Sequence, residues 1–143
     1  MPSDDPFDLA RFRTAQDAHG VLQDALAELR DGRKASHWMW FVFPQIAGLG
    51  VSSTAVYFAI RSLDEARAYL ADPVLGPRLI EAAEAAETAP ADSAEALLGS
   101  IDAAKLRSSM TLFAHAAPDE PVFRRVLDRW YDGREDDATL ARL

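Results

Sequence analysis

No stretch of this chain alternates apolar and polar residues with period two, and no Asn-Gly pair offers a tight hairpin. Apolar residues recur instead at steps of three and four, the spacing that lines one face of an α-helix. Phe7, Phe12 and Gln16 open a short amphipathic segment, and Val21, Leu22, Ala25, Leu26 and Leu29 follow at helical spacing until Gly32. Ser62 to Glu65, "SLDE", reads as a capping box, with a helix running to about Ala71. Asp72-Pro73 reads as an N-cap and first helical residue, opening an alanine-rich helix that Gly76 and Pro77 threaten to bend or split. "DSAE", Asp92 to Glu95, marks another start. A helix over about Ile101 to Ala116 carries Leu106, Met110 and Phe113 on one stripe and ends before Pro118. Pro121 opens the next, with Val122, Val126, Leu127 and Trp130 on its buried side before Gly133, and "DDATLARL" forms a short terminal helix.

The expected fold is therefore all-α, a single compact domain over residues 1–143 with about seven helices. One segment resists the pattern. "HWMWFVFP" is apolar on both faces of any strand and too short for periodicity to decide. With Ser36 as N-cap and Pro44 as terminator it reads as a short buried helix at 37–43. "QIAGLGVSST", holding two glycines and three hydroxyls, reads as a loop.

Composition narrows function by exclusion. With no cysteine there is no disulfide, zinc-thiolate site or cysteine nucleophile, which suits a reducing cytoplasm. Three histidines far apart in sequence make no metal site, and no cofactor motif is present. A net charge of −8 opposes nonspecific nucleic-acid binding. No apolar run is long enough to span a membrane, and the opening "MPSDDPFDLA" is acidic rather than signal-like. Oligomeric state is not legible.

The placement of charge says more than its sum. No acidic residue lies between Asp31 and Asp64, where Arg33, Lys34 and Arg61 are basic, nor between Asp102 and Asp119, where Lys105 and Arg107 are. One reading is two core segments with incidental basic flanks. The other is a cationic pocket on an anionic protein, suited to a small anionic ligand. Arg33, Lys34, Ser36, Trp38, Trp40, Gln45, Tyr57, Lys105 and Ser109 are its candidate ligand-binding residues, and Asp102 and His37 the candidate catalytic ones. Trp38 and Trp40 lie two apart, so on a helix one faces a pocket while the other joins the core. Gln45 follows a proline, leaving its amide to read a ligand edge. Asp102, Lys105 and Ser109 share a helix face as carboxylate, ammonium and hydroxyl, either a simple ion pair beside a core stripe or a base, an anion anchor and a donor. Gly48-Leu49-Gly50 lacks a third glycine and a preceding strand, so it is no dinucleotide fingerprint.

"GRKASHWMWFVFPQIAGLG", "YFAIRSLDEARAYLADPVLGPRL" and "KLRSSMTLF" closely resemble a bacterial family of small proteins of unknown function whose members often carry the automatic label calpastatin. The resemblance spans nearly the whole chain and implies a single all-helical domain, with no established reaction or ligand. A chain with this much apolar content does not read as a disordered protease inhibitor. The aromatic segment after a polar-histidine pair, followed by a helix with basic residues, a methionine and a phenylalanine, is similar in layout to the NADAR family, helical proteins that act on ADP-ribose-type N-glycosides. That likeness implies a nucleotide-sugar ligand. Ser36 stands where a glutamate is expected, and Asp102 is the one acidic residue with a place in the layout. The most specific functional reading is hydrolysis of an N-glycosidic bond, with Asp102 facing an oxocarbenium-like centre. A protein-interaction module anchored by exposed tryptophans, and a plain scaffold with the aromatic run as core, remain open beside it.

Overall fold

A computed structural model describes residues 4–143, so the first three positions of the acidic opening segment lie outside it. The fold is all-α; the described residues contain no strand, and one isolated parallel bridge joins Ile46 to Ile60. The long helices are α1 (Ala10–Asp17), α2 (Val21–Asp31), α5 (Leu63–Ala71), α6 (Leu75–Glu87), α8 (Ser100–Ala116) and α9 (Pro121–Tyr131). Short ones are α3 (Met39–Val42), α4 (Ser53–Tyr57), α7 (Ala94–Leu98) and α10 (Asp137–Leu140).

Helix α8 is the centre. It packs on α5, α7, α9 and α10, while α6 bridges α2, α5 and α9 on the far side. Leu106, Met110, Leu112 and Phe113 of α8 are fully buried. Phe113 sits between Tyr69, at 5.4 Å between ring centroids, and Phe123, at 5.8 Å. Each such side chain contributes about 1.5–3 kcal/mol by leaving water.

The helix starts follow the sequence signals, with altered chemistry. Ser62 Oγ accepts the N–H of Glu65, yet Glu65 does not close a capping box on Ser62. Its Oε2 accepts from Arg11 at 2.7 Å and its Oε1 from Arg61 Nε at 3.1 Å, fully buried. Asp72 accepts the N–H groups of Val74 and Leu75 as a cap would, but Pro73 is not the first helical residue, since α6 starts at Leu75 with Val74 before it. Helix α6 is assigned from Leu75, unsplit through Gly76 and Pro77. Gly76 is required because a Cβ there would collide with the Leu70 carbonyl of α5. Ser93, not Asp92, caps α7. Gly99, at φ +84°, then ends that helix and opens α8.

The aromatic segment departs most from expectation. Its helix is the single turn Met39–Val42 rather than 37–43, because Trp38 and Phe43 adopt non-helical angles and Ser36 is engaged elsewhere. The loop expected after it holds an unforeseen helix, α4, capped by Ser52 Oγ, which accepts the Ala55 N–H. The Ile46–Ile60 bridge closes this excursion, with Ala47 N–H donating to Ile60 and Ile60 N–H to Gln45. Arg11 fastens its end to α1, donating to the carbonyls of Tyr57 and Ala59. No helix among the described residues is long and apolar enough to cross a membrane.

Candidate functional site

Beyond α2 the chain folds back over that helix, and Glu28 organises the return. Its Oε1 accepts the N–H groups of Ala35 at 2.7 Å and Ser36 at 3.0 Å and the Trp38 indole N–H at 2.9 Å. Its Oε2 accepts the Ser36 hydroxyl at 2.5 Å. Burial would raise the Glu28 carboxyl. The hydrogen bonds, led by that from the Ser36 hydroxyl, outweigh it and hold the pKa at about 2 against an ordinary 4.5. Trp38 is thereby locked in the core, with no exposed surface.

The same turn aims Lys34 inward. Its backbone N–H donates to Leu97 at the end of α7, and its ammonium donates to the Ser36 carbonyl at 2.6 Å while lying 5.1 Å from the Trp38 ring centroid. That ammonium meets Asp102 of α8 at 2.9 Å, and Lys105, one turn along, reaches the other Asp102 oxygen at 3.6 Å. Lys105 also lies 5.0 Å from the Trp40 ring centroid. The two acid-poor stretches thus fold together, with Trp38 in the core and Trp40 half-exposed between Lys105 and solvent.

Three hollows share Trp40. One is a part-open, mostly apolar pocket of about 280 Å³ walled by α3, the 45–50 loop and α4, with Gln45, Arg61 and Lys105 as its polar lining. A shallow second hollow runs from Gln45 and Val51 to Ser108, Asp136 and Ala138. The third holds Lys34, His37 and Asp102 beside the amino end of α8, where the helix dipole is positive. A purely structural role for the aromatic run required both tryptophans inaccessible and no cavity beside His37. Trp40 and this third hollow depart from that.

Lys34, His37, Trp40, Gln45, Asp102 and Lys105 are therefore brought together. Five other candidates lie apart from the three hollows. Arg33 is exposed, Ser36 and Trp38 are committed to Glu28, and Tyr57 offers its carbonyl to Arg11 while its ring stands edge-on to Phe58. Ser109 is fully buried, with no hydrogen-bond partner for its hydroxyl among the described residues. Sequence reasoning missed Arg61, Val51 and Ile101, which line the hollows, and Glu28, which sets the geometry. Arg61 had a signal in the acid-poor stretch; Glu28 had none. Among the described residues no group of three His, Asp or Glu side chains is placed to hold a metal.

The family model for a protein of unknown function, DUF1810, matches residues 6–143. The chain belongs to the DUF1810 family. A solved structure, that of the conserved hypothetical protein Rv1873 from Mycobacterium tuberculosis, is 49% identical and superposes with a TM-score of 0.93, covering 97% of this chain and 98% of that one. No curated protein matches. At that similarity the fold described here is shared by the DUF1810 chain and this solved structure.

Proposed function

We propose that this DUF1810 protein binds a small anionic ligand, of the phosphorylated or nucleotide-sugar class, in the hollows around Trp40. One observation carries the reading: the ammonium groups of Lys34 and Lys105 converge on Asp102, and that of Lys105 also lies 5.0 Å from the ring centroid of the part-exposed Trp40, so an anion held at Lys105 has its flat group beside the indole. Lys105 is the anion anchor, Trp40 the stacking face, Gln45 the amide that reads an edge. His37 stands on the rim of the Lys34 hollow as a further donor. The absence of cysteine suits work in a reducing cytoplasm.

Binding is favoured over hydrolysis. An N-glycosidase needs a carboxylate facing a developing positive charge. Asp102 is the carboxylate of the Lys34 hollow, and both its oxygens face ammonium groups. The interaction-module reading draws on exposed apolar side chains at the rim, Val51 at 95% and Ile101 at 73% exposure.

A thermal-shift panel of nucleotide sugars including ADP-ribose tests the proposal. ADP-ribose is expected to raise the melting temperature, and Lys105→Ala to abolish the shift without unfolding the free protein. No shift across the panel, with an elution volume that moves with concentration on size exclusion, overturns it for the interaction module.

A further inference from the structure

We infer that the part-open apolar pocket beside Trp40 receives a compact uncharged ring, aromatic or heteroaromatic, carried by the same anion that Lys105 anchors. The inference rests on the anion-binding reading above and names the class of ligand: a ring-bearing phosphate or carboxylate.

Three observations converge. The first is chemical. Met39, Phe43, Ile46, Val56 and Phe58 wall the cavity with Trp40, and no carboxylate lines it. Water held against such walls finds few hydrogen-bond partners, so an apolar occupant displaces it favourably. The second is size. A volume of about 280 Å³ is the liquid share of about nine waters at ~30 Å³ each. That matches the heavy atoms of a mono- or bicyclic ring and falls short of a whole nucleotide, so the rest of the ligand must leave through the mouth.

The third is the charge at that mouth. Arg61 lines the cavity but is spent on Glu65 at 3.1 Å and the Phe7 carbonyl at 3.0 Å. Lys105 lines both this cavity and the shallow hollow beside it, and it holds Asp102 only at 3.6 Å, against 2.9 Å for Lys34. It is the cation with the more displaceable partner. A ring seated inside places its anionic substituent beside Lys105. The Gln45 side-chain amide, which among the described residues has no hydrogen-bond partner, lines both spaces and is available to a ring heteroatom.

The test compares phenyl phosphate with inorganic phosphate by two-dimensional NMR titration, following the Trp40 indole N–H. Wild-type protein is expected to bind phenyl phosphate at least tenfold more tightly. Ala55→Phe, which puts a ring into the cavity from α4, is expected to remove that advantage and leave inorganic phosphate unchanged. Val56→Phe, at a position 63% exposed, repeats the test should the first variant not fold. Phenyl phosphate binding where inorganic phosphate is undetectable supports the inference equally. Equal affinities in the wild type, or an advantage that neither variant touches, overturns it while leaving the anion site standing, provided Lys105→Ala abolishes phosphate binding. If neither probe binds, the anion reading fails and takes this inference with it.

Discussion

The Lys34 ammonium and the Asp102 carboxylate, from opposite halves of the chain, meet at 2.9 Å with their side chains 9% and 19% exposed. Asp102 is thus an internal counter-ion: it occupies the space between two ammonium groups that an incoming anion would need. A ligand gains only the difference between its own attraction and that of Asp102.

Asp102→Asn should therefore strengthen anion binding, since it keeps the shape and removes the competitor. The dissociation constant for inorganic phosphate is expected to fall about threefold to tenfold, the worth of about 1 kcal/mol for a partly screened pair. Calorimetric titration of both proteins at one ionic strength reads it. Weaker binding in the variant would instead place Asp102 among the ligand's own contacts, as a hydrolase reading requires.

Glu28 should govern the acid limb of stability. Its pKa is depressed in the folded state to about 2 from 4.5, so its contribution is complete above pH of about 4.5 and is lost as the pH falls through 2. Glu28→Gln should cost about 2 kcal/mol near neutrality, because four donors lose a charged acceptor. Urea unfolding of both proteins across pH 2–7 should show the gap closing below about pH 4.5. A gap that stays constant to pH 2 would show that Glu28 is not the group responsible.

Which parts of this molecule were legible in its sequence follows from the range of the interactions that make them. The helices α2, α5, α6, α8 and α9 are written in local spacing, and Ser62, Asp72 and Pro121 mark the starts of α5, α6 and α9 through contacts a few residues long. Lys34 and Lys105, one from each acid-poor stretch, meet on Asp102; composition offered such a meeting as one of two readings, the other being core segments with incidental basic flanks. Glu28 and the buried Arg11–Glu65 pair left none. Each is a charge whose partners are distant in sequence or belong to the backbone. The aromatic segment misled for a related reason: Trp38 answers to Glu28 rather than to its neighbours, which shortens the helix to one turn and turns Trp40 outward. Helix α4 is too brief for periodicity and shows itself only through the Ser52 cap.

The two tryptophans should separate stability from binding. Trp38→Ala removes a fully buried ring and leaves Glu28 without its indole donor, costing about 3–5 kcal/mol. Trp40→Ala removes a half-exposed ring and the cation–π contact with Lys105, costing about 1 kcal/mol, yet it should abolish the phenyl phosphate response. Chemical denaturation measures the stabilities, and the backbone amide signals of Gln45 and Lys105, which survive the loss of the Trp40 indole, report phenyl phosphate binding in the NMR titration. Comparable destabilisation by the two variants would mean that Trp40 is core.

Ser109→Ala should stabilise the protein and leave binding alone. The hydroxyl is buried on α8 without a hydrogen-bond partner among the described residues, so its desolvation cost is not offset. Alanine also has the higher helix propensity, by roughly half a kcal/mol. The two effects add to a gain of about 1 kcal/mol, read as a higher urea midpoint with an unchanged slope. Because Ser109 lies outside the lining of the three hollows around Trp40, the affinity for phosphate should not move. Lost affinity would put the hydroxyl in reach of the ligand and require α8 to turn or shift on binding; lost stability would mean that the hydroxyl finds a partner in solution.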